Sequence, residues 1–187
     1  LAAVYSVPVV VASSFVDAPG TLIHGDAEME QRNKVRSVAS DINVAKLSVL
    51  GVPDRPGIAA NLFDPLATAG ISVDTIVQNA SVDRLTDLTF TVAHSDRDRA
   101  LEVIRVPADA IGARDVVSDD RLGKVSIVGT GMQNAPGYAA LMFRTLFEAG
   151  INIEMITTSE IRITCLVSEN QVEDAVRALH TAFELEE

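Results

Sequence analysis

The chain has 187 residues, enough for one ordinary domain or two small ones. Hydrophobic residues make up 48% of it and aromatics 4%, with no Trp, so a core has to be assembled from Val, Ile, Leu and Ala. The formal net charge of −11 argues against a nucleic-acid partner, which needs clustered Lys and Arg, and the most apolar early run, residues 7–12, is far short of the ~20 residues of a membrane-spanning helix. The N-terminal segment carries no basic flank and so does not read as a signal peptide. The single Cys165 has no internal disulfide partner, which fits a cytosolic protein with a buried thiol. The first residue is Leu1 rather than Met, which points to a piece of a longer polypeptide.

The elements follow in chain order. "VRSVASD" (35–41) is strand-like. Residues 44–50 are apolar and β-branched and predict a strand. Ile58, Leu62, Phe63 and Leu66 then fall at helical spacing, with Gly70 as the stop and Pro65 expected to kink or shorten the helix. Strands are predicted over 71–78 and 87–93. A second helix is predicted over 96–104 from Ser95 as N-cap, and "ARDVVSDD" (113–120) supplies a fourth strand. Beyond it come strands over 124–128, 151–157 and 160–167 and helices over 137–149 and 169–183.

The second half repeats the first. "KLSVLG" (46–51) returns as "KVSIVG" (124–129), an offset of 78. Pro56-Gly57 and Pro136-Gly137 are offset by 80, as are Ala59-Ala60 and Ala139-Ala140, and "AGISV" (69–73) and "AGINI" (149–153). "DLTFTV" (87–92) resembles "EIRITC" (160–165) at an offset of 73, which gives the first copy seven more residues in its later turn, around "ASVDRLT" (80–86). Each copy reads strand, helix, strand, strand, helix. The second lacks a fourth strand, since only "ELEE" follows its last helix. Residues 35–41 are expected to cross over and complete it; the alternative places the missing strand beyond Glu187. Four antiparallel strands with two helices on one face, in βαββαβ order, make an α+β ferredoxin-like fold. The division is then 1–34 as a linker, 44–120 as the first domain, and 35–41 plus 124–187 as the second, with the first inserted in it.

"VLGVPDRPGIAANLF", "AGISVDTIVQN" and "TDLTFTV" resemble the regulatory region of aspartate kinases, as do "KVSIVGTGM", "PGYAALMF", "AGINIEMITTSEIRITCLV" and "AVRALHTAF". Each copy is similar to an ACT domain, a small ferredoxin-like module that binds amino acids. "VPVVVASSFVDAPGTLI" (7–23) resembles the segment that closes the kinase portion of that family. The kinase domain's own nucleotide-binding and aspartate-binding motifs are not found in the sequence, so the resemblance implies a regulatory subunit or the C-terminal part of a longer enzyme. It further implies a cytoplasmic homodimer paired through its ACT domains, feedback inhibition by lysine and threonine, and no cofactor in this chain, ATP and Mg belonging to the kinase domain.

The residues suggest where an amino acid could sit. A carboxylate seeks the free N–H groups and positive dipole end of a helix N-terminus. Pro56 in the first turn sacrifices no N–H, Gly57 admits a ligand to the backbone, and Ile58 and Ala59 continue that turn. Asp54 either caps the helix or holds an ammonium, while Gln78 and Asn79 offer amides at the far end of the next strand. The second copy presents Met132, Asn134, Gly137 and Tyr138, facing Thr158, Ser159 and Glu160. Asp74, Glu154 and Glu160 are candidates for a lysine ε-ammonium, and Ser72, Asn152 and Ile153 flank them. The plainer readings are a structural Pro-Gly turn, outward strand positions for Asp74 and Glu154, and turn roles for Ser72, Asn79 and Asn152. The second turn has Asn134 where the first has Asp54, which predicts unequal sites. His24, His94 and His180 have no metal-ligand spacing, "GTGM" (129–132) lacks the Lys-Ser/Thr of a phosphate loop, and Cys165 reads as core. The alternatives are a ligand-free dimerisation scaffold and an amino-acid sensor of another enzyme.

Overall fold

The computed structural model describes residues 9–13, 15, 20–23, 35–79, 84–132 and 136–185. A hairpin of β1 (Val9–Val11) and β2 (Thr21–Ile23) precedes two four-stranded antiparallel sheets. β3 (Ser37–Asp41) leads into β4 (Ala45–Pro53), α1 (Ile58–Thr68), β5 (Val73–Gln78), β6 (Leu85–Val92), α2 (Arg97–Ala110) and β7 (Asp115–Asp119). The second copy runs β8 (Leu122–Val128), α3 (Tyr138–Glu148), β9 (Met155–Thr158), β10 (Arg162–Ser168) and α4 (Val172–Ala182). The sheets have orders β5-β6-β4-β7 and β9-β10-β8-β3. They are two ferredoxin-like units of α+β class.

The fourth strand of the second sheet is β3, paired antiparallel with β8 so that Asp41 stands opposite Lys124. In the first sheet β7 pairs with β4, and Asp119 stands opposite Lys46. These registers are equivalent. "VASDINVAKLSVLG" (38–51) and "VVSDDRLGKVSIVG" (116–129) match at one constant offset, so the repeat begins before "KLSVLG", at the leading strands themselves. Each repeat therefore lends its leading strand to the other repeat's sheet.

Strand alternation separates the faces. Leu47, Val49 and Phe90 are fully buried against Leu62 and Leu66 of α1 and Ile104 of α2. Val125, Ile127 and Cys165 are buried likewise against Met142 and Leu146 of α3 and Leu179 of α4. Phe90 and Cys165 occupy equivalent places, opposite Leu47 and Val125. The first core fills that place with an edge-on Phe63–Phe90 pair at 5.2 Å. The second carries a stacked Tyr138–Phe183 pair at 6.3 Å instead.

Several sequence expectations are corrected. Thr89 pairs with Ser48 as Thr164 pairs with Ser126, so the third strands align at an offset of 75 rather than 73. The first copy's later turn is thus five residues longer, not seven. Pro65 does not shorten α1, which continues to Thr68; the carbonyl that its missing N–H leaves free is that of exposed Asn61, within reach of water. α2 passes Pro107 to end at Ala110, six residues beyond the expected end. Its N-cap is Asp96 rather than Ser95, which lies in a 3₁₀ turn over His94–Asp96. Gly70 and Gly150 stop α1 and α3 in the left-handed region at φ 69° and 70°. In both, the next residue's N–H returns to Leu66 or Leu146 in a Schellman closure.

Candidate functional site

The repeated Pro-Gly turn opens α1 and α3. Gly57 is the N-cap of α1 at φ 91° and Gly137 that of α3 at φ 107°. Neither helix has a side-chain cap or an acid in its first turn. Two helices of one chain thus present N-terminal turns without a side-chain cap, the Ile58 N–H being taken by the Arg55 carbonyl, and Pro56, Gly57, Ala59 and Gly137 are all exposed there. Asp54 is exposed and does not cap α1, so its carboxylate is left for another role.

The sheet brings the other candidates to the same end. A bulge at Gly51, whose N–H is bonded by the Asp87 carboxylate, carries β4 on to Pro53 beside Leu85. The Asp54 N–H then bonds the Arg84 carbonyl. On the other side of β6, Gln78 pairs with Leu88, and the buried Thr86 hydroxyl donates to the Asn79 carbonyl. Asp54 and Gln78–Asn79 therefore flank one strand toward one sheet end, about 10 Å apart across two strand intervals and three to four residues, about 10–13 Å, apart along it. In the second copy the Gly129 N–H bonds the Ile161 carbonyl and the Ser159 N–H that of Arg162, which sets Thr158, Ser159 and Glu160 at the equivalent end, all exposed. Asn134 lies outside the described residues.

Other candidates are placed elsewhere. The side chains of Ile58 and Met132 belong to the two cores, and Tyr138 and Ile153 pack against the second. At the α1 and α3 turns, then, it is backbone that is offered. Asp74 lies four residues from Gln78 along β5, about 13 Å away at the strand rise. It faces an open groove of about 420 Å³ between the two units, whose lining includes Ser72, Asp74, Lys124, Ser126 and Arg162. Asp74 is hydrogen-bonded by Lys124, which holds its carboxyl below the usual carboxylate range, helped by the charges of Lys124 and Arg162 and opposed by partial burial. Glu154 accepts a bond from Asn152 at 2.9 Å and lies 3.6 Å from Lys46. Two of the three acids proposed for a lysine ammonium, Asp74 and Glu154, are thus engaged by lysines of the chain itself. The sequence signal for this was the paired Lys46/Lys124 and Asp74/Glu154 of the repeat. Among the described residues no group of three or more His, Cys, Asp or Glu could hold a metal ion, and no helix is long and apolar enough to cross a membrane.

ACT domains match residues 46–106 and 125–183. The regulatory subunit of aspartate kinase from Thermus thermophilus, solved in a ligand-free form, is 39% identical at a TM-score of 0.76, with 80% of this chain and 99% of that one covered. The chain belongs to the aspartate kinase family. It is an aspartate kinase regulatory region made of two ACT domains. The aspartokinase of Pseudomonas aeruginosa is 46% identical over 97% of this chain, which spans 45% of that protein's length. Escherichia coli aspartokinase III, solved in complex with lysine and aspartate, is 26% identical at a TM-score of 0.69, covering 100% of this chain and 40% of its own.

Proposed function

We propose that this regulatory region binds an end-product amino acid, threonine or lysine or both, at the helix N-termini behind Gly57 and Gly137. Binding feedback-inhibits the phosphorylation of aspartate by an aspartate kinase catalytic domain or subunit. The observation that carries the reading is the duplicated, exposed helix turn with neither a side-chain cap nor an acid in it, where a carboxylate can meet the dipole and backbone of a helix N-terminus twice. Asp54 stands ready for the ammonium, and Gln78 and Asn79 for side-chain and backbone polar groups. The lysine in E. coli aspartokinase III is consistent with this ligand class.

The setting proposed is a cytoplasmic homodimer paired through the ACT domains. β5 and β9 are edge strands, and Ile76 and Ile156 at equivalent positions on them are 54% and 45% exposed. A ligand seated across such an interface favours the associated arrangement by its difference in affinity. ATP and Mg are assigned to the kinase part. Calorimetric titration with L-threonine and with L-lysine tests the reading: heat with at least one supports it, and no heat with either at millimolar ligand overturns it.

A further inference from the structure

Two ion pairs cross the boundary between the domains in opposite directions. Lys46 on β4 reaches from the first domain to Glu154 of the second, at 3.6 Å. Lys124 on β8 reaches from the second domain to Asp74 of the first. The four residues are equivalent in pairs, the lysines opening "KLSVLG" and "KVSIVG" and the acids closing "ISVD" and "INIE". The lysine side chains are only 19% and 15% exposed, so both ammonium groups are committed to the boundary. The same boundary holds a buried apolar cluster of Val44, Leu122 and Leu166, with Met155 packed on it.

We propose that the two pairs form an ionic clasp that sets the angle between the ACT domains, with the Lys124–Asp74 arm as the side that re-pairs. Only this arm borders the groove, and Asp74 is the more exposed of the two acids, at 54% against 40%. Each of its members also has a second partner at hand. Asp41 stands opposite Lys124 in the β3–β8 register, and Arg162, which already acts on Asp74 through its charge, lines the same groove. Re-pairing this arm moves Lys124 to Asp41 within the second domain and Asp74 to Arg162 on β10, a second anchor across the same boundary, so no charge is left unpaired, which is what makes breaking a covered ion pair costly. The other arm has only half of this exchange: Asp119 stands opposite Lys46 in the β4–β7 register, but Glu154 has no counterpart of Arg162. The position equivalent to Arg162 in the first domain is Asp87, an acid whose carboxylate is bound to the Gly51 N–H. The device therefore has two discrete arrangements, as an interdomain switch requires.

Spin labels at Arg105→Cys on α2 and Arg144→Cys on α3 report the angle as a distance distribution, because Cys165 is fully buried and escapes labelling. In the full chain, Asp74→Lys is expected to raise the population away from the main distance about tenfold, and combining it with Lys124→Asp to restore the single peak. Asp74→Asn, of the same shape, replaces Asp74→Lys should the reversal fail to fold; it is expected to shift the distribution in the same direction. An unchanged distribution in a folded Asp74 variant, or an exchanged pair that fails to restore the peak, overturns the clasp.

Discussion

Gly57 and Gly137 open corresponding helices in the same left-handed conformation, at φ 91° and 107°, and a Cβ built on either meets no heavy atom within 4 Å. Space is therefore not what selects glycine; the backbone angle is. Gly57→Ala is expected to cost about 1 kcal/mol in urea unfolding, and Gly57→Asn less, because Asn tolerates this region better. A loss above about 3 kcal/mol would point to lost packing instead.

Gln78 is exposed at the end of β5 and pairs through its backbone with Leu88. Gln78→Ala should leave that pairing and the proposed dimer intact. Effector affinity in calorimetry is expected to fall about tenfold, the scale of a lost hydrogen bond to a charged ligand. Unfolding of the variant, or unchanged affinity, would favour the scaffold reading.

Asp74 carries a pH dependence of known sign. Its carboxyl is lowered in the folded chain from the ordinary value of 3.8, so the unfolded chain takes up its proton first as pH falls. The stability it contributes is present above about pH 4 and disappears as pH drops through the folded value. Asp74→Asn should flatten the acid limb of a stability–pH curve below pH 4.

Cys165 behaves in the opposite sense. Burial pushes its thiol from 9.0 up to about 12, so the folded chain holds the proton that the unfolded chain releases. Stability is unaffected by this group below about pH 9 and declines between about pH 9 and pH 12. At pH 8 a thiol reagent is expected to react only as fast as the chain unfolds. Rapid labelling of the native protein would contradict the buried placement.

The fold was largely legible because the repeat preserved its turns and apolar spacing. Lys46–Gly51 against Lys124–Gly129, and the two Pro-Gly turns, place both domains. The offset at "EIRITC" is ambiguous in the sequence because adjacent polar and apolar residues match almost equally well two positions apart, and only pairing with Ser126 fixes Thr164. The turn end of the candidate site was legible for the same reason: strand direction alone carries Gln78 and Asn79 toward Asp54. Asp74 and Glu154 were not, since an acid alternating with apolar neighbours looks the same whether it faces water or a lysine of another domain. The upstream match of 38–51 with 116–129 held the missing information, as it ties each leading strand to a lysine on the opposite sheet.

The exchange of leading strands has a consequence for biosynthesis. β3 leaves the ribosome before any residue of the first domain's sheet, yet its partner β8 emerges about eighty residues later, a wait of roughly 4–16 s at ordinary elongation rates. β4 to β7, by contrast, form a sheet whose strands are all contiguous in the nascent chain. The first domain can close while β3 remains an unpaired tether on its N-terminal side, and the second closes only by recapturing that tether. Vectorial synthesis thus imposes an order of assembly, first domain before second, on two units that are otherwise near copies of each other.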